Sequence, residues 1–408
     1  MKKSLLSLAA LVALSMNALA YDVNPILTAM PALTIAPDAH AAGMGDIGVA
    51  TNADMNSQFW NAAKYPYLED KGGISASYTP WLRKLVNDID LAYLTGFYRF
   101  DDKQAISASF TYFSMGKVSL VSGEFNPGSG DLHPEVYATA KPNEWSLDVA
   151  YSRKLHEYVS MAATLRFMYS DLNNGINWSG TGESKEMYPA WTMAADIALY
   201  YRQPIELPMG TSYFALGFQL SNLGGKMSYD KNETSNFIPA RFRLGVSYEI
   251  PCDNYNRLQV SVECDKLLVP STYSKYASGI NDKQGDDKYK WDETNEEYSK
   301  VSSPKGWFQS FNDAPKGAKE EFKEVRWGVG VEYSYNRQFF ARVGYSHEDK
   351  MKGNRRYATV GAGFKLSIVR FDMSYCIATN SSNPLDQTMR FTLGFDLAGI
   401  KDLVNNKR

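Results

Sequence analysis

The sequence predicts an all-β protein, a 14-stranded antiparallel transmembrane β-barrel with an N-terminal plug on the periplasmic side. Three observations predict this class. Apolar and polar residues alternate with a period of two from residue 72 onward, and short and long connections alternate along the chain. After the N-terminal leader, the chain has no run of about 18 apolar residues that would cross a membrane as a helix. A chain that enters a membrane without such a helix does so as a closed barrel.

Residues 1–20 are typical of a secretory signal peptide. Lysines at the start precede an apolar stretch, and Ala18 and Ala20 provide the small residues of a cleavage site. Cleavage between Ala20 and Tyr21 is therefore expected, and the mature protein is predicted to be exported.

Residues 21–71 are predicted to form an N-terminal extension that contains the hatch or plug. Its centre is rich in small residues and poor in large aliphatic ones. Glycine lets two backbones approach closely, and Asp and Asn side chains bond local turns. The residues expected to form the plug motif are Gly43, Met44, Gly45, Gly48, Asp54, Asn56, Trp60 and Asn61.

Residues 72–400 are predicted to form the barrel. In one predicted strand Trp145 and Leu147 alternate with Ser146 and Asp148. A strand with one apolar and one polar face suits either a soluble β-sandwich or a membrane barrel, so the alternation alone does not distinguish these two architectures.

The lengths of the connections favour the barrel. Links 101–103 and 155–156 are short, links 115–142 and 270–322 are long, and the two kinds lie at opposite ends of the predicted strands. Short periplasmic turns and long external loops are typical of outer-membrane barrels. An even number of strands then places both ends of the barrel on the periplasmic side, with residues 401–408 as a periplasmic tail.

The inner face of the predicted barrel carries charges of both signs. These charges are expected to pair with one another or to line a cavity, and their dense mixing favours a filled lumen over an open channel. They include Arg166, Arg241, Arg243, Glu263, Arg326, Glu332, Arg370, Asp372 and Arg390.

The longest predicted external loop, 270–322, combines many charges with several aromatic residues. A loop of this length is usually functional or disordered. Its aromatic side chains either bind a partner, since Trp and Tyr dominate binding hot spots, or pack the loop on itself and over the barrel mouth. These side chains are Tyr289, Trp291, Trp307, Phe308 and Phe311.

The sequence shows no residue pattern of a catalytic, cofactor-binding or metal-binding site. Each histidine is expected to be a surface or packing residue, with His133 in a loop, His156 in a two-residue turn, and Ser346 and His347 on opposite faces of one strand. The fourth histidine, His40, lies in the predicted plug.

Composition bears on two further properties, nucleic-acid binding and disulfide bonding. The net charge of −2 gives no basic patch for nucleic acid. The three cysteines are an odd number for an exported protein, so they are expected to be free thiols rather than a disulfide framework. They are Cys252, Cys264 and Cys376.

The segment PDAHAAGMGDIGVATNADMNSQFWNAAKY, residues 37–65, resembles the N-terminal hatch of the long-chain fatty-acid transporter superfamily, whose barrels have fourteen strands. Together with the following LEDKGGISASYTPWLRKLVNDIDLAYLTGFYRF, it resembles more closely the PorV family of the type IX secretion system. The run from Thr79 to Lys84 is specific to this resemblance. One departure is Ala62, where the related hatch usually has proline.

The resemblance implies a non-enzymatic protein of the outer membrane, in contact with its lipid. Proteins of this family bind the C-terminal domains of secreted cargo. They collect this cargo from a translocon barrel, Sov or SprA, and deliver it to the PorU sortase at the cell surface. The external rim of the barrel is then the expected binding surface.

Two other functions remain open from the sequence. A transporter of hydrophobic small molecules, of the fatty-acid type, would need an apolar pocket inside the barrel, whereas the inner faces of the predicted strands are polar. A lipid A-modifying enzyme would need a histidine and a serine whose side chains lie within reach of each other, whereas the adjacent Ser346 and His347 are expected on opposite faces of a strand.

Overall fold

The computed structural model describes residues 25–125, 132–174, 187–230, 235–271, 300–314, 317–379, 385–397 and 399. The predicted signal peptide with its cleavage site at Ala20 and Tyr21, and the predicted tail 401–408, lie outside these residues. Among the described residues, no helix is both long and apolar enough to span a membrane.

Fourteen antiparallel strands form a closed barrel, as predicted, and two more form a separate hairpin. The barrel closes where β1 pairs with β16, with Gly73 opposite Asp396. The strands are β1 Gly72–Pro80, β2 Asp90–Arg99, β3 Gln104–Ser114, β4 Val118–Phe125, β5 Leu132–Ala140, β6 Asn143–His156, β7 Val159–Asp171, β8 Ala190–Leu207, β9 Gly210–Gly224, β10 Arg241–Pro251, β11 Asn256–Leu267, β12 Arg326–Tyr335, β13 Phe339–His347, β14 Arg356–Leu366, β15 Val369–Ala378 and β16 Met389–Asp396.

The hairpin β4–β5 lies inside the connection 115–142, which was predicted only as a long external link. His133 therefore lies in a strand rather than in a loop. His156 is the last residue of β6 and not part of a turn. Both predictions were wrong because strand pairing continues past the point where the apolar alternation stops.

The two ends of the barrel differ as predicted. The links after β2, β6, β8, β10, β12 and β14 are short, and this end is called the turn end below. The opposite end carries the long connections, including 268–325, and is called the loop end. Phe322–Glu324 forms a 3-10 turn, so the connection predicted as 270–322 extends to residue 325 and β12 begins at Arg326.

The outer wall of the barrel is apolar and exposed. Leu165 is 66% exposed, Trp191 64% and Val343 55%. On each of their strands, the side chains that alternate with the exposed ones face inward and are buried. A continuous apolar surface of this kind is stable only when lipid covers it. The three cysteines are free thiols, as predicted: Cys252 is exposed, Cys264 is partly exposed, and Cys376 is buried.

The N-terminal segment fills the lumen. It consists of a 3-10 turn at Pro31–Thr34, helices Ala39–Gly43 and Ser57–Trp60, and a 3-10 turn at Ala62–Tyr67, joined by irregular chain. Nearly all of its residues from 29 to 66 are buried.

The N-terminal segment was expected at the periplasmic mouth, but it runs the length of the barrel. At the loop end the backbone N–H of Ala29 donates to the carbonyl of Phe237 over 2.8 Å. At the turn end Arg99 donates to the carbonyl of Leu68. The physical reason is that buried charges line the wall along its whole length, and the segment supplies partners to many of them.

The core between the segment and the wall contains both apolar clusters, with Met30, Leu33 and Met168 in one of them, and buried ion pairs. Arg342 is among the largest fully buried side chains, and its guanidinium lies 2.6 Å from Glu332 and 2.7 Å from Asp372. Arg166 lies 2.8 Å from Asp148. The prediction that the inward charges pair with one another is confirmed for these groups and for the following pairs: Arg166–Asp196, Arg241–Asp265, Arg326–Asp265 and Arg370–Asp372.

Replacement of Arg342 should destabilise the barrel strongly. Arg342→Ala leaves the carboxylates of Glu332 and Asp372 buried without their main partner, a loss of about 3–5 kcal/mol. The guanidinium chloride midpoint in detergent micelles, followed by tryptophan fluorescence, measures this change. The control Arg153→Ala removes an exposed arginine of β6 and should shift the midpoint little. Equal shifts in the two variants would contradict a stabilising role for the buried charges.

Candidate functional site

Glycines let the N-terminal segment lie directly on the barrel wall. Gly45 has φ of +82°, and a Cβ there would come within 2.8 Å of the backbone nitrogen of Tyr345. A Cβ on Gly43 would lie 3.2 Å from the Cα of Gly361. Only glycine combines that φ with that approach, so the predicted plug glycines are placed where their lack of a side chain matters.

Glycines on the wall complement those of the segment. Met44 is fully buried, and its backbone lies over Gly330 of β12 and Gly344 of β13. A Cβ on either wall glycine would collide with the backbone of the segment. Gly48 has the same role within the segment, since the ring of Trp60 occupies the position of its missing side chain.

Charged side chains of the wall bond the backbone of the segment. One carboxylate oxygen of Glu263 accepts the N–H groups of Gly48 and Val49 over 2.7 and 2.8 Å. Nε of Arg390 donates to the carbonyl of Ala36 over 3.1 Å. These bonds satisfy buried backbone groups that lack secondary-structure partners, which would otherwise destabilise the fold.

Arg243 joins the wall to the second helix of the segment. Its guanidinium lies 5.1 Å from the ring centroids of both Phe59 and Trp60. It donates to the carbonyl of Phe59 over 3.2 Å and to the side-chain oxygen of Gln219 over 2.8 Å. Arg243 thus packs by cation–π contact and hydrogen bonds rather than by an ion pair.

His40 is the residue of the segment whose role the sequence did not reveal. It is buried, its Nδ1 contacts the carboxylate of Asp54, and its Nε2 lies 3.0 Å from Glu332 of the wall. With both ring nitrogens facing carboxylates, the imidazole links the segment to the ionic cluster around Arg342. No local sequence pattern signals this contact, because Glu332 is far away in the chain.

The remaining plug residues form hydrogen bonds mainly within the segment. Asp54 accepts the N–H of Asn56 over 3.0 Å. Nε1 of Trp60 donates to Asp38 over 2.7 Å. The amide of Asn61 donates to the carbonyls of Val49 and, on the wall, Leu199, both over 2.9 Å.

A cavity of about 270 Å³ remains at the turn end, beneath the segment. Its lining is mixed: it includes the charged residues Arg202, Arg257, Lys365, Asp70 and Glu249 and the apolar residues Met55, Leu68 and Phe340. Several of these groups pair with one another across the cavity. The charged part of this lining favours water over a hydrocarbon.

The described part of the long loop exposes aromatic side chains at the loop end. Phe308, on the helix Ser303–Gln309, is 80% exposed, and Phe311 is 51% exposed. Trp307 is partly exposed. Phe322, which the sequence did not single out, is 79% exposed. The other two predicted aromatics, Tyr289 and Trp291, lie outside the described residues.

Ion pairs hold this loop against the barrel. Lys266 lies at 3.2 Å from Glu321 and also contacts Glu324. Lys352, from the connection after β13, lies 3.1 Å from Glu320 and 2.9 Å from Glu324. The four residues Lys266, Lys352, Glu321 and Glu324 are called the loop clamp below.

Asp313 lies beside the loop clamp and is buried. Burial, and next the charge of Glu324, raise the pKa of Asp313 to about 7. Carboxylate oxygens of Asp313, Glu321 and Glu324 lie within 4.8 Å of one another, a spacing that suits a metal ion. The ammonium groups of the clamp lysines already neutralise part of this charge.

Comparisons with known proteins assign both a family and a fold. A family model described as "Type IX secretion system protein PorV" matches residues 19–274. No curated protein sequence matches the chain.

Solved barrels share the fold at low sequence identity. The P. putida toluene transporter TodX is 10% identical, with 88% of this chain and 98% of that chain covered and a TM-score of 0.51. A TodX deltaS2S3 mutant, described as a monoaromatic hydrocarbon channel, is 10% identical, with 88% and 99% covered and a TM-score of 0.52. A Pseudomonas aeruginosa FadL homologue is 11% identical, with 92% and 99% covered and a TM-score of 0.41.

Gly344→Ala should lift the N-terminal segment from the wall. The new methyl group collides with backbone of Met44 and Gly45, and overpacking of this kind typically costs about 1–3 kcal/mol. Lys64, which is 1% exposed, then becomes accessible to trypsin, and its cleavage should accelerate about tenfold or more.

The control for this variant is Gly96→Ala in β2, where the nearest atom to a Cβ is a flexible side-chain carbon of Ile74 at 3.4 Å. Cleavage at Lys64 should stay slow in this control. Equal cleavage in wild type and Gly344→Ala would contradict the close contact between segment and wall.

The long loop should bind the barrel more tightly in mild acid. Because the pKa of Asp313 is higher in the docked loop than in the open loop, docking favours the protonated carboxyl group. The free energy of docking therefore becomes less favourable as pH rises from about 4 to about 7. Between about pH 5.5 and pH 8 the opening free energy of residues 318–325 should fall by up to about 2 kcal/mol. Hydrogen exchange, corrected for its intrinsic pH dependence, measures this change.

Asp313→Asn should abolish that pH dependence, whereas Asp102→Asn at the turn end should leave it intact. A loop whose opening free energy is the same at both pH values in the wild type would show that Asp313 does not control docking.

Proposed function

The chain belongs to the PorV family of type IX secretion system proteins, and from that premise we propose that it carries secreted proteins at the outer membrane. It binds the C-terminal signal domain of its cargo, receives the cargo from the translocon barrel, Sov or SprA, and delivers it to the PorU sortase. The N-terminal extension, 21–71, is the hatch of this carrier.

The observation that carries the proposal is the contrast between the two parts of the molecule. The lumen is occupied by a segment that wall charges bond directly, as Glu263 does with Gly48 and Val49. The loop end carries exposed aromatic side chains, among them Phe308. Exposed aromatics are the usual anchors of protein–protein contacts, so this distribution supports recognition on the external rim.

Transport of hydrophobic small molecules is the alternative. TodX, which shares the fold, is described as a toluene transporter. A path for such a molecule needs an apolar wall, whereas the described inner wall buries Arg166, Arg342 and Asp372. These charges favour the carriage of protein over the passage of hydrocarbon through the lumen.

A lipid-modifying enzyme is the third candidate, and the described histidines give it little support. His40 lies between the carboxylates of Asp54 and Glu332. His347 stacks on Trp327 on the outer wall at 4.9 Å, while Ser346 faces inward, as predicted. Neither histidine is placed to activate a serine.

Affinity purification of the full chain from its own outer membrane tests the proposal. We expect cargo C-terminal domains and a very large barrel protein to co-purify. Recovery of bound fatty acid without any protein partner would contradict carriage and favour the transporter.

Within that experiment, Phe308→Ser should reduce the recovery of cargo. Loss of an aromatic anchor at the centre of an interface costs about 2 kcal/mol or more, roughly a 30-fold loss of affinity. The matched control is Phe100→Ser, which removes a 54% exposed phenylalanine at the turn end. Equal recovery of cargo with both variants would exclude Phe308 as an anchor.

A further inference from the structure

The described loop forms an apolar groove on the outside of the barrel, at the loop end. Its floor consists of outward-facing residues of adjacent strands, Phe242 of β10 and Cys264 of β11, with Val325 before β12. Its other side consists of Phe311 and Phe322 from the loop. The groove has a volume of about 360 Å³.

The groove is held in place by the loop clamp. Lys266, like Cys264, occupies an outward-facing position of β11, yet it is only 5% exposed. It is buried because the loop folds back over the outer wall and supplies Glu321 and Glu324 as its partners. Two rings reinforce this contact: Phe311 lies 6.5 Å from Phe242, edge to face.

One side of the groove is continuous with the lipid-facing wall. The next outward-facing residues along the two floor strands are Leu244 and Val262, which are 45% and 42% exposed. A hydrocarbon chain can pass from this wall into the groove without crossing a polar group. The opposite side carries Lys266, Asn312 and Glu321.

We propose that this groove binds the acyl chain of a lipid of the outer leaflet. Phe322 is 79% exposed at the loop end, and an acyl chain in the groove covers part of this aromatic surface. The polar side places hydrogen-bonding groups beside the lipid head. This site lies outside the lumen and does not depend on the proposed carriage of cargo.

A lipid with a photoactivatable diazirine in its acyl chain tests this site on the full chain in vesicles. We expect cross-links to the peptides that contain Cys264 and Phe322, in excess of those to the plain wall around Leu165. Ala318→Trp fills the groove from the loop side and should reduce the groove cross-links about tenfold, equivalent to about 1.4 kcal/mol.

The control Lys319→Trp adds the same side chain to the same helix at an exposed position that does not line the groove. Its groove cross-links should match the wild type, and heat-modified gel mobility verifies that both variants are folded. Groove cross-links no more frequent than those of the plain wall, or unchanged in Ala318→Trp, would overturn the proposal.

A second measurement separates lipid from protein. Phe322 is replaced by benzoylphenylalanine in intact cells, and the adduct is identified by mass. An adduct with lipid supports the proposal. An adduct with a protein would overturn it, because the groove would then be a protein-docking site.

Discussion

The structure depends on one constraint: the charges on the inner wall of the closed barrel are buried and need partners. Arg342 of β13 pairs with Glu332 of the adjacent strand β12 and, on the other side, with Asp372 of β15, two strands away around the barrel. Glu263 and Arg390 instead bond the backbone of the N-terminal segment. Because a buried unpaired charge is far more costly than a lost surface contact, the segment and the wall stabilise each other, and neither forms the same core alone.

This constraint has a consequence for function. Among the described residues, the lumen is occupied by the segment, and ion pairs, glycine contacts and backbone hydrogen bonds hold the segment to the wall. The described loop end offers two exposed apolar features: Phe308 on one side and the groove between Phe322 and the outer wall on the other. Membership of the PorV family and the apolar outer wall agree with a protein of the outer membrane.

The sequence predicts the barrel well because strand alternation and loop length are local properties. It also predicts that the inner charges pair, since their density on one face is visible in the sequence. It does not reveal the course of the N-terminal segment through the whole lumen, because Ala29 meets Phe237 and His40 meets Glu332 only in the folded chain. The hairpin β4–β5 was missed because its strands lack the apolar alternation of a membrane wall. The fold of the loop over Lys266 was missed because a lysine in the outward phase normally faces solvent.

The central claim is that the N-terminal segment fills the lumen of the native barrel. The conductance of the purified wild-type protein in a planar lipid bilayer tests it most directly. A filled lumen predicts no steady conductance above that of the lipid alone. Stable open-channel steps from the folded wild-type barrel would contradict a filled lumen. They would instead support transport through the lumen.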